Sequence, residues 1–527
     1  MTAPVRALAL AALLLLAAGA PFHARANTLR VADQGDVMSM DPYMINEALL
    51  LSFMGNVYEG LTGRGRKLET TAELATDWKQ TAPTVWRFNL RRGVKFHDGT
   101  PFTADDVIFS LERARGEGSD VKTYVAPIKE IRKVDSHAID IVTHEPYPIL
   151  PQAISVWYIL SKQWCEKNNA VRPVDVRKGT ENFASTRANG TGPFRLKSRE
   201  PGVRTVLQPN PEWWGKPEHN LTEVVFTPIS NDATRVAALL SGEIDMMQPV
   251  PLQDVPRLQG NAALKVAQGG EIRTIFLGMD QKRDELLGSN VKGKNPFKDR
   301  RVRQAFYQAI DVEAIRARIM RGASRPTGLL IAPEVQGFSA ELNRRLPFDP
   351  EAARALLAEA GYPGGFEVAM NCPNDRYVND AEICQAIASM LAKVGVRINL
   401  AAETKTLWFP RVLRRDTAFY LFGWVPASQD AHNALFALVA TPGEAGQGQF
   451  NLGAYSNTRI DQLTRQIAAE ADMGKRNGLI AEAFRLTQED VAYIPLHQQP
   501  LTWGMKKNVD MVQLANNFNY FRWATVK

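Results

Sequence analysis

Three cysteines in 527 residues are too few for a disulfide scaffold, and none stands in the CxxC spacing of a zinc site. Basic runs are missing too. No four consecutive residues are Lys or Arg, so the net charge of +7 is spread along the chain and marks no nucleic-acid stripe. Beyond residue 26 no stretch reaches 18 apolar residues, the length a membrane-spanning helix needs. The signatures GxSxG, HExxH and GxxxxGK(S/T) are absent, which argues against the common hydrolase, metalloprotease and nucleotidase chemistries. The seven histidines stand singly, without the helix-face pairing of a metal site, so no metal and no cofactor is expected. His97, in a turn beside Asp98, reads as structural rather than catalytic. The Gly63–Gly65 and Gly446–Gly448 pieces lack the rest of a dinucleotide fingerprint and read as loops. What remains is ordinary globular composition, 45% hydrophobic and 23% charged, in a chain long enough for about two to four domains.

The first feature present is an address. Arg6 precedes an unbroken apolar run from Ala7 to Ala20, too short to cross about 30 Å of hydrocarbon. Pro21 and the small-x-small triplet Ala24-Arg25-Ala26 follow it, which predicts a secretory signal peptide over residues 1–26, cleaved before Asn27. Losing Arg6 and Arg25 lowers the charge from +7 to +5. An exported, periplasmic protein is expected.

Local patterns predict a mixed α/β chain. Trp86, Phe88 and Leu90 alternate with Arg87, Asn89 and Arg91 as in a half-buried strand, and Val94 with Phe96 predicts a second short one. Asp98-Gly99 is a turn pair, and Thr103 before Ala-Asp-Asp-Val caps a helix whose apolar face is Val107, Ile108 and Leu111. Asp349-Pro350-Glu351 starts another helix that Gly361 stops, with Ala353, Leu356, Leu357 and Ala360 three or four apart. A strand over 366–370, a helix over about 380–393 and a strand over 396–400 come next. Helix–strand–helix–strand order argues for an α/β unit in the C-terminal half. Stretches near 200–217, 322–337 and 441–453 are rich in Pro and Gly and read as loops.

In an exported chain, Cys372 and Cys384 form either a disulfide or two buried thiols, with Cys165 left over as a buried packing residue. Aromatic residues are more telling. Trp408-Phe409, Trp424, Trp503 and the segment Phe518 to Trp523 hold more rings than a small core needs. Most serve the core, and the remainder are expected as walls of a ligand cleft.

Several ordered motifs carry a resemblance. The segment Ala72 to Trp78, followed by Trp86 to Val107 with its Phe96-His97-Asp98-Gly99 centre, is similar to the signature of bacterial extracellular solute-binding proteins of the peptide/nickel class. These are the periplasmic receptors of ABC importers. Asp41-Pro42, Val57 to Leu61, Thr191 to Phe194, Ser241 to Asp245, Asp299 to Phe306 and Gly423-Trp424 match in the same order. The resemblance implies an α/β, two-lobed periplasmic binding protein, hinged and type II-like, with an extra subdomain in the first lobe. Lobe I would span 27–270 with its subdomain at about 63–190, lobe II 271–492, and residues 493–527 would return to lobe I. It implies a monomer that closes over a peptide or peptide-like solute and hands it to permease and ATPase subunits, with no catalysis. A non-peptide ligand, such as an opine, a sugar-linked or an antibiotic-like solute, is the alternative, and a secreted hydrolase a more distant one.

The resemblance also suggests site residues. Where dipeptide-binding relatives place an Asp three residues after the Gly-Trp pair, this chain has Ala427. A buried ammonium without a counter-charge is costly. Either Asp430 or Glu47, next to Asn46, then substitutes, or the ligand has no free amine there. Arg376 falls in the loop that supplies relatives with the arginine for the ligand carboxylate, and a guanidinium fork suits that group. Asn46, Glu47, Arg376, Trp408, Trp424 and Asp430 are the expected ligand-binding set. Arg376 also reads as a salt-bridge partner of Asp375 or Asp380, and Asp430 as a helix cap.

Overall fold

The computed structural model describes residues 27–527, and the predicted signal peptide lies outside the described residues. In the first part of the chain, β1 (Thr28–Asp33) leads to helix α1 (Ala48–Met54) and the short strand β2 (Thr62–Arg64). A separate four-stranded antiparallel sheet follows, built from β3 (Ala75–Ala82), β4 (Val85–Leu90), β5 (Ile128–Asp135) and β6 (Ala138–Thr143) in the order β3-β4-β6-β5. Helix α2 (Ala104–Arg115) packs on it, with Thr103 and Asp106 forming a reciprocal capping box and Val107 and Leu111 buried. The predicted strand at Val94–Phe96 is reduced to one isolated bridge, Lys95 to Pro101, because the Asp98-Gly99 turn leaves no length for a ladder.

The main sheet has eleven strands and unites both halves of the chain. Its remaining members are β7 (Phe194–Glu200), β8 (Arg204–Pro209), β9 (Glu223–Pro228), β10 (Met246–Gln248), β11 (Leu264–Met279), β12 (Glu367–Pro373), β13 (Arg397–Glu403), β14 (Phe419–Trp424) and β15 (Ile494–Lys506). Their order is β13-β12-β14-β11-β15-β10-β1-β9-β8-β7, with Arg325–Pro326 pairing beside β15. The region near 200–217 that reads as a loop therefore contains β8. Its Pro and Gly residues sit at the ends, while Thr205, Val206 and Leu207 are buried.

Strands β1 and β10 run parallel, as do β12 with β13 and with β14. The long antiparallel pair β11 and β15 joins the two groups. Leu264–Gly270 pairs with Pro500–Lys506 beside β10, and Thr274–Leu277 pairs with Ile494–Gln498 beside β14, with register breaks between. Strand β14, Phe-Tyr-Leu-Phe-Gly-Trp, is buried throughout, which explains its lack of polar alternation.

Helices α3 (Pro350–Glu359), α4 (Asp380–Ala392), α5 (Lys405–Leu413) and α6 (Met473–Glu489) surround the second group of strands. Asp349 caps α3 at the Ala352 N–H, as the sequence predicts, and Gly361 adopts the left-handed conformation just beyond its end. Cys372 at the end of β12 is joined to Cys384 in α4. Closing that loop of separation 12 stabilises the fold by about 3 kcal/mol in the loop-entropy account. Cys165 is free and buried.

Candidate functional site

Two pairs of parallel strands, one from each group, end at one place. The segments after β1 (Asp33–Gly35), β10 (Gln248–Pro249), β12 (Asn374–Asn379) and β14 (Val425–Ala427) all reach the seam between the two groups of strands. Carboxyl ends of strands in open α/β sheets are where ligands bind, because loops of free geometry converge there on a rigid edge. Two pockets open at this seam, each with a cavity volume of about 40 Å³, and Arg376 and Arg273 line both.

Arg376 is held by its own loop. Asp380, at the start of α4, accepts the backbone N–H groups of Arg376 and Tyr377 at 2.9 Å each. The Val378 N–H donates to Gln499 on β15, and Gln499 donates to Glu271 on β11, which pairs with Arg273 at 2.9 Å. Gly423 lets the Tyr377 ring lie on β14. A side chain there would meet that ring and Ile275 at 2.8 Å, and the Gly423 N–H donates to the Tyr377 hydroxyl.

Across the seam, Glu47 caps α1 by accepting the Leu50 N–H with Oε2 at 2.8 Å. Its Oε1 lies 3.0 Å from Arg376 Nη2 and 3.8 Å from Lys405 Nζ. Lys405, the first residue of α5, crosses above Gly35, where any side chain would collide with it at 2.8 Å. All three charged groups are buried. Burial raises the Glu47 carboxyl, but Arg376, Lys405 and the Leu50 N–H outweigh it and hold it below the ordinary carboxylate range. Against the downward effect of burial, Glu47 likewise holds Arg376 above its usual value. Burial drives Asp33 the other way, upward, although it accepts from the Gly35 N–H and from Gln248.

The cluster is incompletely bonded. Glu47 Oε1, Arg376 Nε, Lys405 Nζ and Asn46 Nδ2 are buried without a hydrogen-bond partner among the described residues. Nearly all buried polar atoms in folded proteins have one, so these four neighbours at the seam are donors and acceptors open to a group from outside the chain.

Of the residues singled out from the sequence, Asn46, Arg376 and Trp424 line the second pocket, and Glu47 pairs with Arg376 behind it. Trp408 lies in the core, 4.7 Å from Phe409 and 5.6 Å from Phe422 between ring centres, and those two neighbours face the pocket instead. Asp430 lines neither pocket. It caps Ala431–Ala434 through the His432 N–H, and both its oxygens are taken by Arg476 at 2.6 and 2.7 Å. Arg376 pairs with Glu47 rather than with Asp375 or Asp380, because its side chain leaves the loop toward α1. His97 is structural, with Nδ1 accepting the Gly190 N–H and Nε2 at 3.1 Å from the Gly192 carbonyl. Desolvation pushes it down to about 4.

Sequence reasoning missed Asp33, Arg64, Gln248, Arg273, Lys405 and Gln499. One signal was available: Glu271 and Arg273 interrupt the apolar residues of β11 two positions apart, on one face of the strand. Gly63 and Arg64 belong to β2, not to a loop, and the Arg64 guanidinium reaches the second pocket.

A two-group α/β fold with a charged, apolar-walled cleft at its seam is that of the two-lobed periplasmic binding proteins. The ABC transporter-associated binding protein DppA of Helicobacter pylori, in complex with the peptide STSA, superposes with a TM-score of 0.84 at 23% identity, over 95% of this chain and 98% of that one. AgaA from A. tumefacien R10, in complex with agropinic acid, gives 0.83 at 22% identity, over 95% and 99%. The glutathione-binding protein GsiB of Salmonella choleraesuis (strain SC-B67) is 26% identical over 514 residues, covering 95% of this chain and 94% of that protein. The family model for bacterial extracellular solute-binding proteins, family 5, middle region, matches residues 69–446, and the chain belongs to that family. It is a solute-binding protein, not an enzyme.

Proposed function

We propose that the chain is the periplasmic receptor of an ABC importer. It is exported by the segment 1–26, and it captures a peptide or peptide-like solute between its lobes. The observation that carries this reading is the open cluster of Glu47, Arg376, Lys405 and Asn46 at the seam, drawn from both sides of the cleft. An ammonium completes the free side of Glu47, and carboxylate or carbonyl oxygens complete Arg376 Nε, Lys405 Nζ and Asn46 Nδ2. Trp424 supplies a flat wall. Pockets of about 40 Å³ are smaller than a dipeptide, so the lobes part to admit the ligand and close on it.

Lobe I then spans 27–270 with its subdomain within 63–190, lobe II spans 271–492, and 493–527 returns to lobe I. The crossing strands β11 and β15 form the hinge, with the register break after Gly270 as the bending point. A ligand that touches both lobes stabilises the closed form by its differential affinity, and permease and ATPase subunits read that form on a monomeric receptor. Structural likeness to AgaA, which holds agropinic acid, keeps an opine as the second ligand class.

Isothermal titration of the chain from Asn27 onward against dipeptides, glutathione and agropinic acid tests this. Saturable binding by a peptide or glutathione is expected. Heat only from agropinic acid moves the ligand to the second class, and no heat from any of the three removes both.

A further inference from the structure

The two proposed lobes also touch outside the cleft pockets, and one carboxylate organises that contact. Asp120 stands just before the short helix Lys122–Val125, inside the first lobe's subdomain, and is fully buried. Its Oδ1 accepts from Arg177 Nη2 at 2.8 Å, an ion pair within the same subdomain that balances the charge. Its Oδ2 accepts the Asn46 N–H at 3.1 Å, and the Tyr124 hydroxyl donates to Asn46 Oδ1 at 2.6 Å. Asn46 lines the second cleft pocket, so the segment around Asp120 fixes one of its wall residues. Asp120 itself lines neither pocket.

Gln449 reaches the same carboxylate from the other lobe. Its Nε2 donates to Asp120 Oδ1 at 2.8 Å and to the Asp120 carbonyl at 3.2 Å. The loop that carries Gln449 comes close enough to need a glycine: a side chain at Gly446 would meet the Thr123 nitrogen at 2.9 Å. A further bond, from Arg414 just past α5 to the Arg177 carbonyl at 3.2 Å, ties the ion-pair partner of Asp120 to the same lobe. Yet the junction is incompletely bonded. Gln449 Oε1 and Thr123 Oγ1 are buried without a hydrogen-bond partner among the described residues. Hydrogen bonds to a charged group favour closure and unbonded buried polar atoms oppose it, which leaves a junction able to open.

We propose that Asp120 and Gln449 form a latch that holds the receptor closed and couples closure to the pocket wall at Asn46. Both are positioning residues, acting through Asn46 and through the closed population rather than by touching the solute. The latch rests on the two lobes and the cleft proposed above. A ligand that needs the closed form binds more weakly by the factor through which the closed population falls. Loss of the Gln449 bond is therefore felt as lost affinity although no ligand contact has been removed.

Cysteines placed at the junction report closure without a ligand. A Cβ at Gly446 would lie 3.2 Å from the Lys122 Cβ, near the about 3.5–4.5 Å that a disulfide spans. The chain from Asn27 onward carrying Lys122→Cys and Gly446→Cys is expected to cross-link under mild oxidation, reversibly with dithiothreitol, and the single variants are not. Adding Gln449→Ala is expected to slow the cross-link at least about fivefold while the urea midpoint of unfolding stays in place. Without the new cysteines, Gln449→Ala is expected to weaken S-methylglutathione or alanylalanine by a similar factor. No cross-link with or without those ligands, a rate indifferent to Gln449→Ala, slower cross-linking matched by a fall in the urea midpoint, or unchanged affinity of a bound ligand each overturn the proposal. Should the double variant not fold, a larger radius of gyration for Gln449→Ala in small-angle scattering supports the latch, and an equal one overturns it. Slower cross-linking while neither ligand binds leaves the latch standing and removes the peptide reading. Peptide binding with no cross-link does the reverse.

Discussion

Two buried ion clusters in this molecule look alike in composition and differ in completeness. Asp430 and Arg476 meet through two hydrogen bonds, the Arg476 Nε donates to the Ile467 carbonyl, and the Asp430 carboxylate also caps a helix. Every charged atom there has a partner. Asp41 and Arg113 repeat the pattern in the N-terminal part of the chain, at 2.8 and 2.6 Å, with the Arg113 Nε on the Ala170 carbonyl. Glu47 and Lys405 are as deeply buried and Arg376 nearly so, yet they meet through one contact at 3.0 Å and one at 3.8 Å, and three of their polar atoms stay unbonded. A buried network that is closed serves one structure. The open one, drawn from α1, α5 and the loop after β12, is where the proposed ligand would enter.

The sharpest way to break this comparison is to cut one partner from each cluster. Asp430→Ala strands Arg476 in the interior and is expected to lower unfolding stability by about 3–5 kcal/mol in urea titration, with ligand affinity per folded molecule unchanged. A cost below about 1 kcal/mol would mean that the cluster is not a closed structural unit.

Acid extends the same test. His432 packs near this pair, against the rings of Tyr147 and Phe436, and desolvation lowers its pKa to about 4. The unfolded chain therefore takes up this proton first, near pH 6.5, so the contribution of neutral His432 is complete above that value and is lost as the pH falls toward about 4. Across that window the stability difference between wild type and His432→Gln is expected to shrink by about 1.4 kcal/mol per pH unit. A difference independent of pH would show that His432 does not carry the linkage.

Smaller effects belong to the open cluster. Arg376→Ala is expected to weaken an acidic ligand by at least about tenfold, roughly 1.4 kcal/mol, and its amide much less. Equal losses in calorimetry would make Arg376 a structural residue like Arg476. If the lobes part as proposed, Glu47→Gln should cost less than about 1 kcal/mol of global stability, because water then reaches Arg376, an escape that Arg476 lacks. Small-angle scattering should then show a larger radius of gyration for the free variant. A loss as large as that of Asp430→Ala, with no expansion, would erase the distinction between the clusters.

Local structure was legible wherever a short-range rule operates. The cap at Thr103, the Asp349-Pro350 start and the alternation over Trp86–Arg91 all depend on neighbours within four residues; both helix starts appear where the pattern puts them, and the strand spans Val85–Leu90. The short strand at Val94–Phe96 did not appear, because a ladder needs a partner of matching length and the turn left none. The site was legible in part. Arg376, Glu47, Asn46 and Trp424 come from the chain's motifs, whereas Arg64, Asp33, Gln248 and Lys405 carry no local mark. They reach the same seam, Asp33 and Gln248 at one pocket, Arg64 at the other and Lys405 beside Glu47, only because β1, β2, β10 and α5 converge on it. Asp430 and Trp408 show the converse: a charged and an aromatic residue near the Gly-Trp pair look like ligand contacts until their partners are seen.

By itself, then, the sequence determined the α/β class, the solute-receptor family and the few elements marked by caps or clean periodicity, because these follow from local pattern and the order of motifs along one chain. Only the tertiary structure decided which charges are closed and which are left open. That depends on partners hundreds of residues apart, 449 for Glu73 and Arg522, and no local pattern encodes whether a buried charge will find its counter-charge.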